Sequence, residues 1–341
     1  VGSEISNQAF NPKGRASAEL LAFASKAITG LASVPESVIK RPAIPLTLVE
    51  LLEYEFPPRT NLLAPWLPSQ GLAMVYAGRG IGKTHFALGV AYAVASGGEF
   101  LIWNAPEPVG VLYIDGEMPG AVMQERLAAI VKSAELEPSA PFIIVNPDLQ
   151  PNGMPSIDSQ AGRDAIDAIL TPDIKLIVID NISTLTSVKE NEADGWTPIQ
   201  LWALRQRAQG RTVLLIHHAG KSGAQRGTSR REDILDTVIA LRRPAEYDPS
   251  QGAVFECHFE KSRGIYGDDV KPIEATLTTQ SDGSMTWLTR TVEDSTLQRV
   301  ATLLNEGLSQ KEIAAEIMIN KSNVSRHARK AKELGLLTRA G

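Results

Sequence analysis

The sequence contains little cysteine and no long apolar run. Cys257 is the only cysteine among 341 residues, which excludes a disulfide within the chain and a metal site built from several cysteines. One cysteine is typical of a reducing compartment, and we expect a cytoplasmic protein. No apolar stretch reaches the roughly 18 residues that a membrane-spanning helix requires, so we expect no membrane contact.

An excess of positive charge is absent too. Lysine and arginine number 34 against 39 aspartate and glutamate residues, which gives a net charge of −5. The whole molecule is therefore not a polycation, and any contact with nucleic acid must come from a local basic patch. Apolar residues make up 43% of the chain, which is enough for a sizeable core, and the length predicts two or three domains.

The most informative stretch is 72–86, where an apolar run is followed by three glycines and then Lys-Thr. The run 72–76 predicts a buried strand, and the alanine-rich segment 83–96 predicts a helix. A phosphate-binding P-loop requires this strand–loop–helix order, because the backbone N–H groups of the turn and of the helix N-terminus point at phosphate oxygens. The predicted nucleotide-contacting residues are Gly78, Arg79, Gly80, Ile81, Gly82, Lys83, Thr84 and His85.

Two of these residues have specific expected roles. Lys83 is expected to reach the β- and γ-phosphates, and the Thr84 hydroxyl is expected to ligate Mg²⁺. Ala77 stands where the usual motif has its first glycine, and we expect Gly78 to take the sharpest turn instead. The alternative interpretation is a glycine-rich turn that precedes Lys-Thr without binding a ligand.

Two further predicted strands end in acidic residues. The run 176–180 ends at Asp180, which is expected to hold the Mg²⁺ shell beside the P-loop. The run 111–117 ends with Asp115 and Glu117, and we interpret Glu117 as the base that orients the attacking water, with Asp115 as the second choice. The alternatives are an ordinary aspartate that caps a turn and two solvated loop acids.

A third strand, 212–216, is followed by the pair His217 and His218. We interpret His217 as a sensor of the γ-phosphate, and the alternative is a structural histidine. The loop 219–231 that follows is basic, which suits contacts with a phosphate backbone, although a merely solvated loop remains open. The DNA-contacting residues that we predict in this loop are Lys221, Arg226 and Arg230.

A pair of cations, Lys261 and Arg263, occupies alternate positions of a later strand and therefore one face of it. Such a pair can supply an arginine finger in trans, which stabilises transition-state charge on the γ-phosphoryl group. The alternative is an edge strand that carries Lys and Arg against aggregation.

The order of elements predicts an α/β fold. Between about 71 and 290, strands alternate with helices, which indicates a mostly parallel sheet covered on both faces, with antiparallel strands added after about 237. We assign residues 1–54 to an N-terminal arm with a helix over 16–34, and residues 55–290 to the sheet domain. The lead-in 35–70 is rich in proline and predicts an extended segment with few regular elements.

Residues 293–341 form a separate predicted module of three helices, over 296–305, 310–317 and 323–334. The short break before the third helix, which we expect Ser322 to cap, is typical of a helix-turn-helix. Ser and Asn at the start of this helix can reach base edges, and its cations can bind phosphates. The predicted DNA-contacting residues are Ser322, Asn323, Ser325, Arg326, Arg329 and Lys330. The alternative is a small protein–protein module.

The set of motifs resembles the RecA-like hexameric ATPases, particularly the plasmid replication helicases of the RepA type and, more distantly, the DnaB family. The resemblance covers about 55–290 and rests on Ala-Gly-Arg-Gly-Ile-Gly-Lys-Thr, Tyr-Ile-Asp-Gly-Glu, Ile-Val-Ile-Asp-Asn and Leu-Ile-His-His-Ala-Gly-Lys, in that order. It implies ATP and Mg²⁺ bound at subunit interfaces, with Arg263 as the finger. It further implies a homo-oligomeric ring, expected to be a hexamer, with single-stranded DNA in its channel. The last 45 residues resemble winged-helix and related helix-turn-helix domains, which implies contact with duplex DNA.

We therefore expect an ATP-hydrolysing, ring-forming motor that acts on DNA, a helicase-like replication protein of a plasmid or other mobile element. The alternative is a DNA-binding regulatory factor whose assembly ATP controls and which unwinds nothing. A third and weaker alternative is a filament former similar to the recombinases.

Overall fold

The computed structural model describes residues 44–186, 193–220, 233–244 and 247–337. The helix predicted over 16–34 lies outside the described residues. The chain divides into two compact units, and the boundary between them lies between Pro58 and Arg59.

The first unit contains helix α1 (Leu48–Glu53), which lies within the segment that the sequence predicts to be extended. A reciprocal capping box begins this helix, because Thr47 Oγ1 accepts the Glu50 N–H at 3.3 Å and Glu50 Oε2 accepts the Thr47 N–H at 2.7 Å. The spacing Thr-x-x-Glu is visible in the sequence and was the signal that our interpretation missed. Leucine and valine side chains of this helix are exposed in the described structure.

In the described residues, the second unit is built on a central sheet of nine strands. The strands of this unit are β1 (Asn61–Leu63), β2 (Leu67–Pro68), β3 (Leu72–Ala77), β4 (Glu99–Phe100), β5 (Trp103–Asn104), β6 (Gly110–Asp115), β7 (Phe142–Val145), β8 (Ile174–Asp180), β9 (Thr212–His218), β10 (Thr237–Arg242), β11 (Val254–Ser262), β12 (Ile273–Thr279) and β13 (Met285–Thr291). Its helices are α2 (Lys83–Ser96), α3 (Gly120–Ser133), α4 (Gln160–Asp167), α5 (Ala193–Ala208), α6 (Val292–Asn305), α7 (Gln310–Glu316) and α8 (Lys321–Glu333).

The strand order in the central sheet is β13-β12-β11-β10-β3-β9-β8-β6-β7. The strands from β10 to β7 are parallel to one another, and β11, β12 and β13 extend the sheet in antiparallel fashion. The carboxyl ends of the parallel strands therefore meet along one edge, and β3 lies in the interior between β10 and β9. Ligands of open α/β sheets bind at this edge.

Each face of the sheet has its own apolar core. On one face, β3 residues such as Val75 pack with α2 residues such as Phe86. On the other face, Met74 and Leu215 pack with Trp202 of α5. Successive residues of one strand thus enter different cores, as the alternation of side chains along a strand requires. The α/β fold class predicted from the sequence is confirmed, with a mostly parallel sheet, helices on both faces and an antiparallel extension.

The helix that follows the P-loop, α2, matches the predicted bounds exactly. Helix α5, which begins at Ala193, contains Pro198 in its interior. Trp196 and Ile199 are buried on either side of the proline. Packing against the sheet therefore extends the helix past a residue that disfavours helix interiors.

The last three helices, α6, α7 and α8, share a small core formed by residues that include Val300, Ile313 and Val324. The predicted cap of the third helix was wrong. Asn320, not Ser322, is the N-cap of α8, and its side chain accepts the Asn323 N–H at 2.8 Å. Asparagine and serine are equally good caps, so the sequence alone did not distinguish them.

A buried carboxylate connects these helices to the central sheet. Glu274 of β12 is 3% exposed. It accepts hydrogen bonds from Arg290 Nε at 2.8 Å, Ser295 Oγ at 2.7 Å and Arg299 Nη2 at 2.7 Å. A buried carboxylate needs partners that compensate its charge. Ser295 and Arg299 of α6 and Arg290 of β13 are these partners, so Glu274 attaches α6 to β12 and β13. The predicted domain boundary at 293 stays a prediction.

Among the helices of the described residues, none combines the length and the apolar character needed to cross a membrane.

An aromatic cluster fixes the position of α2 on the sheet. Phe86 packs edge-on against Phe100, with ring centroids 5.3 Å apart, and Trp66 packs against Trp103 at 5.5 Å. Gly89 faces this cluster, and a Cβ atom added to it would lie 2.1 Å from the Phe100 ring. The glycine is therefore required by close packing rather than by backbone conformation.

We predict that Gly89→Ala destabilises the protein, although alanine is the better helix former. The clash with Phe100 should cost about 1–3 kcal/mol in the free energy of unfolding, measured by urea titration. Combination with Phe100→Leu should recover part of the loss, because the smaller side chain relieves the contact. A single Gly89→Ala variant as stable as the wild type would contradict the packing described here.

Candidate nucleotide-binding site

The P-loop lies at the carboxyl end of β3. The glycines in the left-handed region are Gly80, with φ of 72°, and Gly82, with φ of 118°. Ala77 is the last residue of β3 and is 1% exposed in the core. The expectation that Gly78 takes the sharpest turn was wrong: the turn falls at the two later glycines, and the strand end accepts an alanine because it needs no positive φ.

Lys83 begins α2 and is only 7% exposed. Its ammonium group donates to the carbonyl oxygens of Gly78 at 2.9 Å and of Ala77 at 3.3 Å. Burial lowers the pKa of Lys83, while the carboxylates of Asp180 and Glu117 oppose that shift. The lysine is therefore held inside the loop, next to two acids.

Asp180 ends β8 and lies beside the first turn of α2. The carboxylate is 3% exposed, accepts the Tyr113 hydroxyl at 2.7 Å and is hydrogen-bonded by the Thr84 hydroxyl. Burial raises the pKa of Asp180, and the hydrogen bonds from Tyr113 and Thr84 act in the opposite direction, as does Lys83. The structure thus brings together Lys83, Thr84 and Asp180, which the sequence had placed in one site. Tyr113, which the sequence analysis missed, also contacts this group.

The residues at this position fit Mg²⁺. Thr84 and Asp180 present adjacent hydroxyl and carboxylate oxygens, the donor type that Mg²⁺ prefers. Sites of this kind use one or two carboxylates and take the remaining ligands from water and the phosphates of the nucleotide. A divalent cation would also favour the ionised form of a carboxylate whose pKa burial raises.

The two acids at the carboxyl end of β6, Asp115 and Glu117, have different surroundings. The Asp115 carboxylate is 1% exposed and accepts the N–H groups of Glu117 and Met118 and the side-chain amide of Asn146, at 3.1 to 3.3 Å. The pKa of Asp115 is raised to about 6, chiefly by burial, although these hydrogen bonds oppose the rise. Asp115 therefore stabilises its own loop. Glu117 has a side chain that is 60% exposed and lies near Lys83 and Asp180.

The carboxylate of Glu117 contacts two residues that the sequence analysis did not assign to the site. Asn181 Nδ2 donates to Glu117 Oε2 at 2.6 Å, and His218 Nε2 lies 3.7 Å from the same oxygen. Both lie at the ends of buried strands, and this position in the sequence was the signal that could have assigned them to the site. Which of two adjacent polar residues faces the site depends on the tertiary packing.

The two histidines at the end of β9 face opposite sides of the sheet. His217 is fully buried and shares the face of β9 that carries Leu215, which belongs to the core under α5. His218 shares the face of Ile216, which packs in the core under α2. His218 is the histidine that lies beside Glu117, and the role of His217 as a sensor of the γ-phosphate stays a prediction.

The remaining P-loop residues surround the turn. Arg79 is exposed, and its charge lowers the pKa of Lys83. Ile81 packs on the core that contains α2. The pKa of His85 falls to about 4, first because of burial and then because of the charge of Arg126, so this histidine is neutral near pH 7.

Arg243 is a further cation at the P-loop that the sequence analysis missed. It follows β10, and its Nη2 donates to the Gly80 carbonyl oxygen at 2.9 Å. The guanidinium stacks on the Tyr247 ring, 3.9 Å from its centroid. This contact requires the pairing of β10 with β3, so no local sequence signal announced it.

Lys261 and Arg263 lie together, but not at the P-loop. Both side chains donate to the Asp233 carbonyl oxygen at 3.4 Å, and Arg263 also lies 3.9 Å from the buried Asp236 carboxylate. Asp236 is bonded to Leu72, at the amino end of β3. The pair therefore lies at the edge of the sheet opposite to the P-loop of its own chain.

The predicted DNA-contacting residues fall into two groups. Lys221, Arg226 and Arg230 lie outside the described residues. On α8, Ser322, Arg326 and Arg329 are exposed, and Asn323 and Ser325 are half-buried. Lys330 is turned towards α6, where its Nζ lies 3.9 Å from Glu293.

Comparison with known proteins identifies a family. A family model described as an AAA domain matches residues 35–224, which is more than half of the chain. No curated protein matches the chain. A KaiC-like protein from the hyperthermophilic archaeon Pyrococcus horikoshii is similar in structure, with 16% identity, a TM-score of 0.44 and coverage of 67% of this chain and 93% of that chain. The flagellar accessory protein FlaH from Methanocaldococcus jannaschii has 12% identity and a TM-score of 0.40 over 64% of this chain and 90% of that one.

The matched segment contains β3, the P-loop, α2 and the carboxyl ends of β6, β8 and β9, where Glu117, Asp180 and His218 lie. The chain therefore belongs to the AAA domain family, and its core is that of a P-loop ATPase.

Proposed function

We propose that the protein is an ATP-hydrolysing motor that assembles into a ring and acts on DNA, with a helicase-like role in replication. The observation that carries the proposal is the placement of its two cationic groups. Lys83 lies at the carboxyl edge of the sheet, and the Lys261–Arg263 pair lies at the amino edge. The six residues of β3 separate these edges by about 20 Å, which is far beyond the reach of one arginine side chain.

Hydrolysis would begin when the P-loop N–H groups and Lys83 bind the phosphates. Lys83 would exchange its carbonyl partners for phosphate oxygens. Thr84 and Asp180 would hold Mg²⁺, which when bound neutralises charge on the β- and γ-phosphates. Glu117 would orient a water molecule for attack on the γ-phosphorus and accept its proton while the bond to ADP breaks.

Charge on the γ-phosphoryl group in the transition state calls for a further cation, and Arg263 can supply it only to another copy of the chain. In a ring, the amino edge of one sheet would face the P-loop of the next protomer. The resemblance of the motif order to plasmid replication helicases supports the same arrangement. The number of six subunits rests on that resemblance alone.

The exposed side of α8 supports contact with duplex DNA. Arg326 and Arg329 are three residues apart on a helix, so they lie on one face and are both exposed. Glu274 binds Ser295 and Arg299 of α6, and α6 shares an apolar core with α8, so movement of the sheet would reach α8. This link also favours a second function, that of a DNA-binding factor controlled by ATP. In such a factor, assembly alone would position α8, and no DNA strand would be unwound.

Strand displacement distinguishes the two functions. We expect single-stranded DNA to stimulate ATP hydrolysis and a forked duplex to be unwound, and Lys83→Ala to lose nucleotide binding and both activities. Lys175→Ala is the matched control, because Lys175 is exposed and lies at the other end of its strand from the site. Assembly on duplex DNA with negligible turnover would contradict the motor and favour the regulatory factor.

Mixing of inactive variants tests the shared site. Arg263→Ala and Glu117→Gln should each bind ATP and lose hydrolysis by at least about 100-fold. A mixture should recover part of the turnover, because hybrid interfaces combine an intact Glu117 with an intact Arg263. Lys271→Ala, at an exposed lysine paired with Asp268, should remain active. Failure of any mixture to hydrolyse ATP would argue against action in trans.

Charge removal on α8 tests duplex binding. The variant Arg326→Ala/Arg329→Ala should weaken duplex binding and reduce the slope of log K against log salt by about 2. ATP hydrolysis without DNA should not change. This substitution is sharper than deletion of residues 293–341, which would remove two partners of the buried Glu274. An unchanged duplex affinity would overturn the proposed role of α8.

A further inference from the structure

The turn that follows β8 holds the carboxylate of Glu117. Asn181 Nδ2 donates to Glu117 Oε2 at 2.6 Å, and Asn181 is only 2% exposed. The Glu117 side chain is 60% exposed. A solvent-facing carboxylate is thus held from the protein side by a buried amide.

The hydrogen bond accepted by the side-chain oxygen of Asn181 fixes the orientation of the amide. Asn181 Oδ1 accepts the backbone N–H of Thr184 at 3.2 Å, so the NH₂ group must face Glu117. The Asn181 carbonyl oxygen accepts the Thr184 hydroxyl at 3.2 Å and the Leu185 N–H at 3.3 Å. Side chain and backbone of Asn181 are therefore both held by the turn 181–185.

The loop that carries Glu117 is bound closely to the same turn. The Gly116 N–H donates to the Asp180 carbonyl oxygen at 2.7 Å. A Cβ atom on Gly116 would lie 2.4 Å from Thr184 Oγ1 and 2.8 Å from Leu185 Cγ. Only a glycine allows this approach, which brings the Glu117 carboxylate within reach of the amide.

From this geometry we infer that Asn181 is a positioning residue that fixes the carboxylate of Glu117 for its work on the attacking water. The inference rests on the proposed role of Glu117 as the base. An exposed glutamate samples several rotamers, and a hydrogen bond at 2.6 Å removes that freedom before the reaction. The same carboxylate oxygen lies 3.7 Å from His218 Nε2, so the amide of Asn181 makes the shorter contact.

The direct test is Asn181→Ala, assayed for ATP hydrolysis and for binding of a non-hydrolysable ATP analogue. We expect kcat to fall by about 10- to 100-fold while the affinity for the analogue is unchanged, because the base is misplaced and the phosphate contacts remain. Thr186→Ala is the matched control: it removes a hydroxyl from the end of the same turn, and that hydroxyl donates to the Ile182 carbonyl oxygen and not to Asn181. It should retain kcat.

A double-mutant cycle separates positioning from a general effect on the fold. In a Glu117→Gln background, Asn181→Ala should cause no further loss of kcat, because its effect passes through Glu117. If the loss of kcat in the double variant equals the product of the two single losses, the inference is overturned. Full turnover in Glu117→Gln alone would instead remove the assignment of the base, which is a failure of the proposed function.

A second variant covers the case in which Asn181→Ala does not fold. Asn181→Asp has the same shape but has no donor for Glu117, and it should lose at least as much kcat. Unfolding by urea checks that each variant is folded. Wild-type kcat in a folded Asn181→Ala or Asn181→Asp protein, or an equal loss of analogue affinity, would contradict the role proposed for Asn181.

Discussion

The buried carboxylate of Asp180 is the feature on which the site depends. It brings β8, β6 and the start of α2 to one point through Tyr113, Thr84 and the charge of Lys83. Because burial disfavours an isolated charge, it raises the pKa of Asp180, and these partners oppose that rise. The sheet order makes this possible, since it sets β3 and β8 on either side of β9 with their carboxyl ends together.

The rest of the proposed activity follows because one chain cannot bring its own Arg263 to its own P-loop. Its carboxyl edge holds the nucleotide-binding cluster, and its amino edge holds Arg263 near Asp236. Copies arranged head to tail would complete each other's sites, and such heterologous contacts close into a ring when the rotation permits. The bonds of Glu274 to α6, together with the core that α6 shares with α8, would then make α8 move with the sheet.

The sequence predicted the elements that local chemistry determines. Glycines and the change from an apolar run to an alanine-rich segment were sufficient for β3, the P-loop and α2. The face of a strand was not predictable in the same way: His217 and His218 are equivalent in the sequence, and only the packing of α2 on one side selects His218. The contacts of Asn181 and Arg243 depend on pairing between distant segments, so no local pattern contained them.

The most direct test of a site shared between copies is the rate of ATP hydrolysis per chain, measured over a range of protein concentrations with the molecular mass recorded at each. The account predicts that the rate per chain falls on dilution as assemblies separate, and that a non-hydrolysable ATP analogue restores the larger mass. Monomers that hydrolyse ATP at an undiminished rate would contradict it.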